Sequence, residues 1–190
     1  MTARNGNDPV QQRQDRTGGF SLAELMVVVA LIGVLSAIAV PNLLRSLPEK
    51  RLKAAARTLY ADLQQARLLA VKENRSVRVR FQAEADADYY YFDNDDSKDW
   101  NADEPRRAVS DQGEVRYGCG GTKKNWNGDE IPLSGLPKSP RVTFSNVGTC
   151  DSRSIYLRTS SGKVCYAVTT TDYGMIKIRR FNGGAWDKNH

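Results

Sequence analysis

The chain has 190 residues, 40% of them apolar and 26% charged, and a formal charge of +6 from 28 Lys+Arg against 22 Asp+Glu. That is globular composition at the length of one compact domain plus an additional segment, and it excludes a collagenous, largely disordered or polytopic membrane protein. One His and three Cys, with no C-x-x-C or H-E-x-x-H spacing, exclude the usual zinc centres. No Gly-rich phosphate loop or G-x-S-x-G is present, so no motif speaks for an enzyme.

In chain order, residues 1–19 are polar, set Arg4, Arg13 and Arg16 against Asp8 and Asp15, and end in Gly18-Gly19. They read as a leader. Phe20 to Val40 then form an apolar run whose one charge is Glu24. At ~1.5 Å per residue this makes a helix of about 31 Å, long enough to cross a hydrocarbon core. A secretory signal peptide is the competing reading, but its apolar core is shorter and a small-residue cleavage site follows it. A carboxylate inside such a helix costs about 2.5–3.5 kcal/mol, so Glu24 needs a partner or a place near the interface from which to snorkel. Arg45, Lys50, Arg51, Lys53 and Arg57 follow the apolar run and outnumber the three Arg before it. On charge bias alone that would place the C-terminal domain in the cytoplasm.

Pro41 and Pro48 should bend or loosen the chain beyond the apolar run. Between Glu49 and Asn74, Leu52, Ala56, Leu59, Leu63, Ala66 and Ala70 recur in steps of four and three. This predicts an amphipathic helix with one covered face. Strand patterns follow at Val77 to Phe81, Tyr89 to Phe92, Val115 to Tyr117, and Arg141 to Val147. Ile155 to Arg158 and Lys163 to Thr169 form a hairpin across Thr159-Ser160-Ser161-Gly162, and Met175 to Phe181 is the last strand. Ala83 to Pro140 reads as a loop-rich insertion. The expected fold is α+β: a long N-terminal helix, one half membrane-spanning and one half amphipathic, packed on an antiparallel sheet. The corresponding segments are a leader at 1–19, a transmembrane helix at 20–40, an amphipathic helix at 41–75 and a β-rich domain at 76–190.

The junction Gly19-Phe20-Ser21-Leu22-Ala23-Glu24-Leu25-Met26-Val27-Val28 resembles the class III signal of type IV prepilins and type II secretion pseudopilins. The resemblance implies cleavage after Gly19 by a membrane prepilin peptidase and N-methylation of Phe20. It also gives Glu24, the fifth mature residue, a role in assembly: pairing with the α-amine of Phe20 on a neighbouring subunit. Pro41 matches a proline common in pilin stems. Leu52 to Phe81, with Gln65-Ala66-Arg67 and Val77-Arg78-Val79, is similar to the GspH/FimT/FimU group of minor pilins and pseudopilins, low-abundance subunits found at or near the filament tip. The implied function is initiation or tip assembly of a type IV pilus-like filament. The alternatives are a DNA-binding pilin for natural transformation and a type II secretion pseudopilin. Implied partners are major and minor pilins, the peptidase and the inner-membrane assembly platform. Before assembly the chain would cross the inner membrane once with its C-terminal domain in the periplasm, and the motif overrides the charge bias on this point.

Three constellations remain. Asp93, Asp95, Ser97, Asp99, Asn101 and Glu104 fall at positions 1, 3, 5, 7, 9 and 12 of an EF-hand-like loop, a candidate calcium site. Lys98 stands where such a loop needs Gly, so a solvated acidic loop is the plainer reading. On the last strand, Lys177 and Arg179 alternate with Ile176 and Ile178, and Arg180 follows. They are candidate phosphate contacts for DNA, against the alternative of a solvated strand face. FimT-like DNA-binding pilins carry a C-terminal Gly-Arg-x-Arg element, and Gly174-Met175-Ile176-Lys177 resembles it with Met in place of the first Arg. Cys119, Cys150 and Cys165 allow one disulfide and leave one thiol. Cys150–Cys165, which spans the hairpin, is preferred; Cys119–Cys150 fits chain length equally well. The single His, His190, is terminal and no nucleophile motif accompanies a Cys, so a catalytic thiol is disfavoured. The Tyr89-Tyr90-Tyr91-Phe92 run is either a recognition patch or strand core.

Overall fold

The computed structural model describes residues 20–93, 100–110 and 114–187. The chain divides into two compact units, with the boundary between Leu43 and Leu44. Both contain parts of one helix, α1 (Leu22–Lys72). It runs without interruption through Pro41 and Pro48 as the one long helix expected from the sequence. Each proline removes one intrahelical donor.

In the first unit every described side chain is exposed. In the second, α1 buries Leu52, Ala56, Leu59, Leu63, Ala66 and Ala70, the stripe that the spacing predicts. The helix stops in a Schellman motif. Asn74 takes φ 50°, its N–H bonds Val71 O at 3.3 Å, and the Arg75 N–H bonds Ala70 O at 3.2 Å. Asn tolerates this left-handed position because its short polar side chain can bond locally; here its Oδ1 accepts from Asn146 Nδ2 at 2.9 Å.

Among the described residues eight strands follow: β1 (Val77–Ala83), β2 (Asp88–Asp93), β3 (Arg106–Ala108), β4 (Val115–Tyr117), β5 (Arg141–Phe144), β6 (Arg153–Thr159), β7 (Cys165–Thr170) and β8 (Ile176–Phe181). They form two antiparallel four-stranded sheets, ordered β3-β2-β1-β5 and β4-β6-β7-β8. Val77, Val79, Phe81, Tyr90, Val142 and Phe144 from the first sheet share one core with Ile155, Leu157, Val168 and Ile176 from the second and with the α1 stripe. The sheets meet where β2 approaches β4. There the Asp88 carboxylate accepts the Tyr117 N–H and pairs with Arg116 at 3.2 Å.

A polar link runs through this core. Asp62 of α1 is only 5% exposed. It accepts the Tyr90 hydroxyl at 2.5 Å and pairs with Arg107 of β3 at 3.1 Å. Burial pushes the Tyr90 pKa up, and the hydrogen bond to Asp62 adds to it.

The structure corrects several expectations. β5 ends at Phe144 instead of reaching Val147, because Gly148 at φ +80° and its N–H bond to Ser145 O turn the chain back. The 83–140 segment supplies three strands, of which β3 has no apolar alternation to announce it. Tyr90, Tyr91 and Phe92 are buried in a strand flanked on both sides, so that run is core and not a recognition patch.

Candidate functional site: an apolar stem and a basic final strand

The stem begins with a cap. Ser21 Oγ accepts the Glu24 N–H at 3.1 Å, and Ser21 O accepts the Leu25 N–H at 3.1 Å. Ser21 and Glu24 therefore stand at the Ncap and N3 positions of a capping-box spacing, with the Glu24 carboxylate in the first turn, where the helix dipole favours a negative charge. This S-x-x-E signal is legible in the sequence and was missed there. Among the described residues, α1 alone is long and apolar enough to cross a membrane. Phe20, Leu22, Leu25, Met26, Val29, Ile32 and Leu35 are all exposed, a continuous apolar surface that water cannot be left to cover. Gly19 lies outside the described residues.

On β8 the register separates the candidate cations. Lys177 pairs with Thr169 and Arg179 with Ala167, whereas Arg180 stands beside Tyr166 on the opposite face. Strand alternation thus divides the expected row in two. The Arg179 guanidinium lies 4.5 Å over the Trp126 ring, a cation–π contact. Arg180 forms an ion pair with Glu49 of α1. On the outer face, Trp186 packs on Trp126, Tyr156 and Phe181 at centroid distances of 5.5, 6.1 and 5.4 Å. Its Nε1 donates to Lys124 O at 3.0 Å. A second small apolar cluster of Ile131, Tyr156 and Ala167 lies beneath these rings.

The disulfide is Cys119–Cys165, with Cα atoms 5.3 Å apart, and the Cys150–Cys165 pairing does not form. Cys165 sits opposite Arg158 and Phe181 on the outer face of its sheet, while Cys150 belongs to the main core beneath the inner face. One side chain cannot cross the sheet to meet the other. Cys150 stays a thiol, donating to Thr171 O at 3.2 Å, and burial pushes its pKa up, which keeps it unreactive. Gly174, in the turn before β8, has φ +75°, and a Cβ there would collide with the Gly148 carbonyl oxygen. Its place in the Gly-Met-Ile-Lys segment is required by packing, whatever the segment binds.

Of the acidic loop, Asp95, Ser97 and Asp99 lie outside the described residues. Asp93 is buried and paired with Arg80. Glu104 is buried, and its Oε2 accepts the Asn101 N–H at 3.3 Å. The Asp93 and Glu104 carboxylates thus each have a partner within the fold, and the described residues contain no cluster of three His, Cys, Asp or Glu able to hold a metal.

Residues 55–174, nearly two thirds of the chain, match the family described as type II transport protein GspH. The chain belongs to the GspH family. Residues 15–40 match the prokaryotic N-terminal methylation motif, which coincides with the capped apolar stem. The GspH family comprises minor pilins and pseudopilins, filament subunits and not enzymes. Two crystal forms of the type IV minor pilin FimU from Pseudomonas aeruginosa resemble this chain at 17% identity. Their TM-scores are 0.48 and 0.45, over 74% and 72% of this chain and 95% and 98% of theirs. No curated protein matches.

Proposed function

We propose that this GspH-family chain is a minor pilin that takes part in initiation or tip assembly of a type IV pilus-like filament. The observation that carries the reading is the exposed apolar stem, uninterrupted from Leu22, in a chain whose β domain closes its own core. Such a stem needs lipid around it before assembly and neighbouring stems afterwards. On this reading the peptidase cuts after Gly19, Phe20 is N-methylated, and Glu24 pairs with the α-amine of a neighbour's Phe20. The chain waits in the inner membrane with its domain in the periplasm, and the assembly platform lifts it into contact with other major and minor pilins.

The test is a chromosomal deletion complemented with the native chain, Gly19→Val or Glu24→Ala. Processing is followed by immunoblot, and surface filaments, protein secretion and DNA uptake are scored in the same strains. Processed native protein, unprocessed Gly19→Val and a fall in filament number in both variants are expected. Normal mature protein from Gly19→Val overturns the processing step, and normal filament number in the deletion strain overturns initiation. Loss of secretion with filaments intact reassigns the subunit to a type II pseudopilus, and loss of DNA uptake alone reassigns it to transformation.

A further inference from the structure

Beside the basic run that follows the stem, the β domain carries a cleft of about 480 Å³ lined by Glu49, Lys53, Arg57, Tyr166, Ile178, Arg180 and Asp187. The α1 residues recur every four positions, so they stand on one face of the helix. Lys53 and Arg57 are exposed, and neither has an ion-pair partner among the described residues. Glu49 pairs with a terminal nitrogen of Arg180, while the buried Nε of Arg180 has no hydrogen-bond partner among the described residues. The floor is less polar: Ile178 is partly buried and Tyr166 is buried.

The position of this cleft along the chain indicates the source of the anion. Exposed apolar side chains continue to Leu43 and Leu44, and Arg45 is the first charge after Glu24. Glu49 follows Leu44 by five residues, about 8 Å of helical rise, comparable with the thickness of one lipid headgroup layer. Clusters of Lys and Arg immediately beyond a membrane helix attract anionic lipid. We propose that this cleft binds the phosphate of an anionic phospholipid headgroup between Lys53 and Arg57, beside the Glu49-paired guanidinium of Arg180, with the glycerol region against Tyr166 and Ile178. The inference rests on the membrane-anchored reading of the stem. It also gives Lys53 and Arg57, two of the five cations that create the charge bias, a role on the domain's side of the bilayer.

The test uses the full chain in nanodiscs that mix phosphatidylglycerol with phosphatidylcholine. Lipids released with the protein are counted by native mass spectrometry for the native chain, for Lys53→Gln/Arg57→Gln, and for Lys72→Gln/Lys138→Gln, which removes equal charge outside the cleft. Phosphatidylglycerol should be enriched on the native chain and on the control pair. The cleft variant should lose roughly fivefold per cation removed, some twentyfold or more together. Equal loss from the control pair, or no loss from the cleft variant, overturns the site. A phosphate adduct formed from inorganic phosphate in pure phosphatidylcholine discs, and absent from the cleft variant, overturns the lipid assignment in favour of a free anion. An unchanged lipid count with loss of a co-purified acidic subunit assigns the cleft to a protein partner. All these counts are made on purified protein, so they fail or succeed independently of processing and filament number.

Discussion

The link from Asp62 to Tyr90 and Arg107 fastens α1 to the first sheet, and its strength follows from what each truncation strands. Asp62→Ala leaves the Tyr90 hydroxyl, 2% exposed, without its acceptor at 2.5 Å. A stranded buried donor costs about 1–3 kcal/mol. The lost pair with Arg107 adds at most about 1 kcal/mol, since that guanidinium is half exposed, and the better helix propensity of Ala returns roughly 0.5 kcal/mol. The net expectation is a loss of about 1–3 kcal/mol. Tyr90→Phe removes the donor but leaves Asp62 its second partner, for about 1–2 kcal/mol. With both changes neither a hydroxyl nor a carboxylate is stranded, so the double variant should cost no more than Asp62→Ala alone, a coupling of at least about 1–2 kcal/mol. Urea unfolding of the full chain in non-ionic detergent measures this. All three Trp lie beyond residue 99, so their fluorescence reports the β domain and not the stem. Costs that add to within about 0.5 kcal/mol would refute the reasoning.

Two further expectations concern the same domain. Peptide mapping without reductant should recover Cys119 linked to Cys165, and Cys119→Ser should cost about 2–4 kcal/mol for a closure spanning 46 positions, with no comparable loss in Cys150→Ser; a linkage through Cys150 would refute the register argument. Alkaline pH should destabilise the fold, because burial raises the pKa of Tyr90, Tyr117, Tyr156 and Tyr166 above 10.0. The folded state then keeps protons that the unfolded chain releases, so stability is full below about pH 10 and falls as pH rises through that value. Tyr90→Phe should make the decline shallower by up to about 1.4 kcal/mol per pH unit, and urea midpoints that stay level from about pH 8 to 11 would contradict it.

What was legible in the sequence is what repeats. The α1 stripe and the strand alternations of β1, β6 and β8 repeat, and each alternation puts one face into a core with no knowledge of its partner, whereas β7, buried on both faces, was legible only from the turn before it. β3 was invisible because three residues, Arg106-Arg107-Ala108, hold too little apolar content to alternate; the strand exists through its pairing with Tyr89 to Tyr91. The disulfide failed for a related reason. Chain length says whether two Cys can meet, but the side of the sheet each one faces is decided by register, and the register of β7 puts Cys165 opposite Arg158 and Phe181. The cation row was half legible: alternation placed Lys177 and Arg179 together, and the same alternation should have turned Arg180 toward α1, where Glu49 holds it.

The capped start of the stem bears on why a carboxylate sits there. In a bilayer Glu24 costs about 2.5–3.5 kcal/mol. Its place in the first turn of α1 offsets about 0.3–1 kcal/mol of that through the helix dipole, and the hydrogen bond from the Glu24 N–H to Ser21 Oγ satisfies a backbone donor without neutralising the side chain. A deficit of roughly 2 kcal/mol therefore remains in the isolated subunit. On the minor-pilin reading this residue is what a neighbour's α-amine relieves, so the same side chain that makes the monomer costly in lipid favours leaving it for the filament. Gln at this position would keep the cap while removing the charge. It should lower the cost of staying in the membrane and weaken the drive to assemble, whereas Asp keeps the charge and should retain that drive. Equal filament numbers with Gln and Asp would mean that the cap, and not the charge, is what assembly requires of Glu24.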